Sequence, residues 1–157
     1  MPHFQGAGTP YMDNGAKSAI IGLTLEHTNL DVYRALMEGV TYVMEENLEY
    51  LSGCGINPEQ LFVTGGGASS PVWLQIKADI FNRRVTTLDA KEVGACGTCM
   101  LVAVGAGIYK DLYEAKKVFV KTKKDCLPNP ETAEIYAKKY EAYKEIYSSI
   151  RHIADKI

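Results

Sequence analysis

Apolar residues in this chain recur with two periods, and the switches between them mark its elements. Met1 to Lys17, with Gly6, Gly8, Pro10 and Gly15, reads as loop. Ser18 to Thr24 then reads as a short strand centred on Ile20 and Ile21. Val32, Leu36, Gly39, Val43 and Leu51 fall along one face of a long helix, broken by Asn47. Thr28-Asn29-Leu30-Asp31 ahead of it has the form of a capping box, and Gly53 and Gly55 supply the stop. Leu61-Phe62-Val63-Thr64 is a compact strand that runs straight into three glycines. Ser70 sits where an N-cap belongs and Pro71 at the first helical position, which predicts a helix to about Phe81.

The second half continues in the same way. Val85-Thr86-Thr87-Leu88 is a β-branched strand. Glu92 to Ala106 is small and apolar, as suits a helix lying close on a sheet, and Leu112 to Val120 reads as a shorter helix. Asn129 and Pro130 open the terminal helix, 129–155, by the same capping logic. Its stripe of Tyr136, Tyr140, Tyr143, Tyr147 and Ile150 puts four aromatic rings on one face, which reads as a face docked on the domain.

Composition narrows the function classes. The chain has 157 residues, 46% apolar and 23% charged, with a formal net charge of -2. That is one ordinary globular domain, without the basic surplus needed to neutralise a phosphate backbone, so nucleic acid is not an expected partner. Lys121-Thr122-Lys123-Lys124 reads as a solvated turn. No apolar run approaches the ~20 residues of a membrane span. Met1 to Gln5 lacks the regions of a secretory signal, and Cys54, Cys96, Cys99 and Cys126 are scattered. The expectation is a cytoplasmic protein with reduced thiols.

Candidate chemistry concentrates in Gly65-Gly66-Gly67-Ala68. Without Cβ atoms a backbone can turn sharply and approach a ligand, and the free amides of the following helix favour an anion. The pattern is neither a dinucleotide fingerprint nor a phosphate loop with Gly-Lys-Ser/Thr, so ligand binding and a structural turn both stand. Other signals read as structural. Cys96-Gly97-Thr98-Cys99 lies inside a small-residue helix without a second pair, and is read as packing. His3, His27 and His152 form no ligand spacing, and His27 is expected to hydrogen-bond locally. Trp73 reads as core, and Asp79 as a helix-face residue.

Val63-Thr64-Gly65-Gly66-Gly67-Ala68-Ser69-Ser70-Pro71-Val72-Trp73-Leu74-Gln75-Ile76-Lys77-Ala78-Asp79 resembles the adenosine segment of FGGY-family carbohydrate kinases, of the xylulose kinase type. Ser18 to Leu23, Asp31-Val32 and Ala35-Leu36-Met37-Glu38 resemble that family's second signature, and Thr9 to Asp13 the segment before it. The resemblance covers roughly the first two-thirds of the chain. It implies an α/β fold, a ribonuclease-H-like ATPase lobe of the actin and hexokinase type, with a long C-terminal helix. Gly65, Gly66, Gly67 and Ala68 would face ATP or ADP, with Ser70 where some relatives place an asparagine near the adenine.

The same resemblance implies transfer of the ATP γ-phosphoryl group to a sugar hydroxyl, D-xylulose by type, with Mg²⁺. Glycerol, gluconate, fuculose and rhamnulose kinases share this nucleotide-side pattern. The family's Asp-x-Gly-Thr segment, sugar contacts and catalytic aspartate lie upstream of everything matched. Asp13-Asn14-Gly15-Ala16 follows a loop instead of an apolar strand and is not that segment. No catalytic residue and no metal ligand is assigned. Residues 1–157 are therefore expected to be a C-terminal nucleotide-binding lobe lacking its N-terminal strands, inactive alone, with exposed sheet edges that self-associate. A non-catalytic assembly or nucleotide-binding module is the alternative.

Overall fold

The computed structural model describes residues 1–90 and 92–156. They form two compact units: Met1–Pro58, Asp79–Asn82 and Pro128–Ile157 in one, Glu59–Ala78 and Arg83–Leu127 in the other.

The first unit is built on two long helices, α1 (Asn29–Gly53) and α5 (Pro130–Ala154). Thr28 and Asp31 cap α1 reciprocally, as the box predicts. Asn129 caps α5 by accepting the Glu131 amide at 3.0 Å, with Pro130 behind it. The tyrosine stripe of α5 meets α1. The Tyr136 hydroxyl donates to Glu38 at 2.6 Å and accepts from Arg34 at 2.8 Å, while Tyr140 donates to Glu49 at 2.9 Å. Tyr42 stacks on Tyr140 with ring centroids 5.5 Å apart, and tilts against Tyr143 at 5.0 Å. These pairings advance together along both helices, so α1 and α5 run in the same sense. Phenols suit such a seam, because the ring buries apolar area while the hydroxyl reaches a charged partner. The hydroxyls of Tyr42 and Tyr143 are the exceptions, buried without a partner among the described residues.

The N-terminal loop is fastened to the far end of α5. Asp13 takes both the Arg151 guanidinium and the Tyr147 hydroxyl, the latter at 2.7 Å. Tyr11 stacks on Tyr147 at 3.8 Å, and His3, only 6% exposed, packs edge-on to both rings. Asp13 is thus a structural anchor. One expectation fails here: Ser18 to Thr24 forms no strand, and Gly22 within it has φ +83°. Ala19 exchanges hydrogen bonds with Met1, and no ladder partner flanks Ile20 or Ile21, which are 51% and 60% exposed. Apolar residues without a neighbouring strand satisfy the sequence pattern and not the definition.

The second unit carries a three-stranded sheet in the order β1 (Gln60–Val63), β2 (Arg84–Leu88), β3 (Thr122–Cys126). β1 and β2 are parallel, which requires a crossover, and α2 (Pro71–Phe81) supplies it. Val85 and Thr86 of the central strand are fully buried, with Leu74 and Ile76 of α2 also in the core. β3 pairs antiparallel with β2, so the lysine run expected to be a solvated turn is an edge strand instead. Its exposed polar side chains gave no apolar alternation to read, and lysines are what keep such an edge from pairing further. α3 (Val93–Gly105) packs on α4 (Leu112–Phe119), and Cys96 lies on this contact with its thiol toward the Phe119 carbonyl.

Two outcomes test the helix seam. Tyr136→Phe removes one of the two donors to Glu38, leaving Arg34 at 2.8 Å, and should cost about 0.5–1.5 kcal/mol in urea unfolding, whereas Tyr42→Phe removes an unpartnered hydroxyl and should be neutral or stabilising. Arg151 and Tyr147 hold Asp13 below its ordinary pKa of 3.8, at about 2. A depressed carboxylate contributes stability that is present above 3.8 and lost as pH falls through about 2. Asp13→Asn should lower the melting temperature at neutral pH, and the gap to the unaltered protein should close across that acid window.

Candidate functional site

The parallel pairing of β1 and β2 brings their carboxyl ends to one edge of the sheet, where open α/β sheets take their ligands. A cleft of about 750 Å³ opens there, entirely within the second unit. Val63, Thr64, Gly65 and Gly66 line one side as β1 ends, and Thr87, Leu88 and Asp89 another as β2 ends. Ala68, Ser69 and Pro71 contribute the approach to α2, and Lys123 and Lys124 the wall on β3.

The glycines divide their work. Gly65 has φ +77°, a conformation that a side chain would strain, and it turns the chain out of β1. Gly66–Ala68 then makes one 3₁₀ turn, closed by the Ala68 amide on Gly65 and the Ser69 amide on Gly66. A Cβ on Gly66 would meet nothing within 4 Å, so this position faces open space. Gly67 is the reverse. A Cβ there would lie 3.1 Å from the Trp73 ring and 3.1 Å from Lys77 Nζ.

Trp73 and Lys77 form the loop's support from the first turns of α2. Lys77 is 4% exposed, donates to the Gly67 carbonyl at 3.2 Å, and lies 4.3 Å from the centre of the Trp73 ring. Burial pushes its pKa below the ordinary 10.5, and the ring face offsets part of the desolvation. Trp73 was expected in the core; it is half-buried directly behind the glycine turn. Ser70 accepts the Trp73 amide at 3.3 Å as an N-cap and does not line the cleft. Of the five residues singled out from sequence, Gly65, Gly66 and Ala68 line the cleft, while Gly67 and Ser70 shape it from behind.

Sequence reasoning did not find the two lysines of β3, nor Thr87 and Asp89. Their common signal is position at or opposite the carboxyl end of β2, which is legible only once the strand register is known. Asp79 accepts the Asn129 amide at 2.8 Å, which ties the last turn of α2 to the start of α5 within the first unit. His27 accepts the Thr24 amide at 3.0 Å, a local turn as expected. Among the described residues no three His, Cys, Asp or Glu side chains gather as metal ligands would, and no helix is long and apolar enough to cross a membrane.

Comparisons with known proteins converge on one family. Residues 1–106 match the C-terminal domain of the FGGY family of carbohydrate kinases. A xylulose kinase of Bacillus subtilis is 32% identical over 152 residues, 97% of this chain and 30% of that relative. A glycerol kinase of Lactococcus lactis is 32% identical over 120 residues, 76% of this chain and 24% of the relative. The solved structure of a ligand-bound xylulose kinase from Lactobacillus acidophilus superposes with a TM-score of 0.90 at 28% identity, covering 99% of this chain and 31% of that one. The chain thus spans between 24% and 31% of the length of these proteins.

The geometry ranks three substitutions. Gly66→Ala should leave thermal stability unchanged, Gly65→Ala should lose about 1 kcal/mol to its positive φ, and Gly67→Ala should be destabilising because Trp73 and Lys77 must move. Equal losses at all three positions in calorimetry would contradict this division of labour.

Proposed function

Because the chain belongs to the FGGY family of carbohydrate kinases, with the α/β fold of that family's C-terminal lobe, we propose that its cleft is the nucleotide side of a sugar kinase site. The supporting observation is the coincidence of three features in one place. Two parallel strands end there, an open Gly66 lets a ligand approach the backbone, and the capped start of α2 offers its amides. ATP or ADP is the ligand. Gly65, Gly66 and Ala68 face it, and Gly67 and Ser70 hold the turn in shape.

In the complete kinase the reaction is transfer of the ATP γ-phosphoryl group to a sugar hydroxyl, D-xylulose by the relatives' likeness. The hydroxyl oxygen bonds to the γ-phosphorus as the bond to the β-γ bridging oxygen breaks; the hydroxyl proton passes to a base and ADP leaves. This chain's part is to bind and orient the nucleotide. No base and no metal ligand is assigned to this chain's residues, so no step is routed through a metal here. Its four free cysteines accord with a reducing, cytoplasmic setting.

The second reading, an assembly module, draws on the sheet edges. β1 is an outer strand with Phe62 54% exposed, and such an edge can pair with another copy. Light scattering on dilute protein separates a monomer from an oligomer.

Titration of the purified chain with ADP, followed by NMR, should show binding in the millimolar range or tighter. Gly66→Val should weaken it by at least about tenfold without unfolding the protein, since its side chain enters open space where the ligand lies. The chain alone should not phosphorylate D-xylulose. Absence of any nucleotide binding, together with a stable oligomer, would favour the assembly reading.

A further inference from the structure

Two ammonium groups in the cleft have no structural task. Lys123 and Lys124 line it from β3, and neither has an ion-pair partner among the described residues. β3's other charged residue is otherwise engaged: Asp125 accepts the Thr86 hydroxyl at 2.6 Å and pairs with Arg84 at 3.4 Å. The lysines also stand where the ladder is irregular. Thr87 pairs with Lys124 and Leu88 with Thr122, so Lys123 is an extra residue bulged between them. A bulge re-aims the side chain it carries, and this one lies at the mouth of the cleft, at the carboxyl end of β2.

The cleft carries charges of both signs, and Asp89 lies beside the β3 wall, its amide donating to the Lys121 carbonyl at 2.7 Å. Asp89 and Glu92 line the cleft where β2 leads into α3, and they repel an anion placed near them. The lysines line the β3 wall.

We propose that Lys123 and Lys124 hold the phosphate groups of a nucleoside polyphosphate in this cleft, and that they make its affinity depend on phosphate charge. The inference rests on the nucleotide reading above and adds to it the residues that discriminate nucleotide from nucleoside. Ammonium groups act as point charges on phosphate oxygens, so each additional phosphate strengthens binding while the base and ribose contribute equally throughout the series.

The test is a set of NMR titrations of the full chain with adenosine, AMP, ADP and ATP at low ionic strength, on the unaltered protein and on Lys123→Ala/Lys124→Ala. The unaltered protein should bind in the order ATP, ADP, AMP, adenosine. The double variant should lose about tenfold in affinity for ADP, as two partly exposed charge-assisted hydrogen bonds imply, while adenosine binding stays the same. Lys138→Ala, on exposed α5, should change neither. Both substituted positions are exposed on an edge strand, and the unliganded spectra report whether the fold is kept. If the double variant binds ADP as the unaltered protein does, the lysine assignment is overturned and the nucleotide reading stands. If the unaltered protein binds neither adenosine nor ADP, the nucleotide reading falls and this inference with it.

Discussion

Two short strands running in the same direction cannot be joined by a tight turn, and that restriction on β1 and β2 governs the second unit. The chain must leave β1, travel back along the sheet and re-enter in parallel. α2 makes the return, so the departure from β1 and the start of α2 fall at the same edge as the end of β2. A turn placed there must be tight at one residue and closely packed at another. Gly65 meets the first demand with its positive φ, and Gly67 the second by admitting Trp73 and Lys77. Gly66 is left without structural constraint and stands open on the cleft.

Much of this was legible because it is local. Thr28 with Asp31, Ser70 with Pro71, and Asn129 with Pro130 announce helix starts through side chains that bond amides two or three residues away. The tyrosine stripe of α5 is equally readable, since four rings on one helical face must be buried against something. What the stripe could not reveal was the partner. Tyr136 meets Glu38 across 98 positions, and Arg151 meets Asp13 across 138. Periodicity carries no information on such distances.

The misreadings share that cause. Ser18 to Thr24 has the composition of a strand, but a strand is a relation between two segments, and the second is missing among the described residues. Thr122–Cys126 has the composition of a surface turn, yet β2 accepts it as a neighbour. Its lysines, though exposed, then line the same cleft as the glycine turn. For the candidate site, the glycine half could be read from residues in sequence order, whereas the β3 half depended on a pairing between residues some forty positions apart, such as Thr86 with Asp125.

The first unit is discontinuous: α1 is made before the sheet and its partner α5 after it. On the ribosome α1 emerges with Tyr42 and its neighbours uncovered. About seventy residues later α5 appears, an interval on the order of ten seconds at ordinary rates of translation. The second unit can close in that interval, since its residues all lie between 59 and 127. Closure of the seam between the two long helices thus waits for α5, and a nascent chain stalled before Pro130 would display the face of α1 that carries Tyr42 to whatever chaperone or neighbouring chain is at hand.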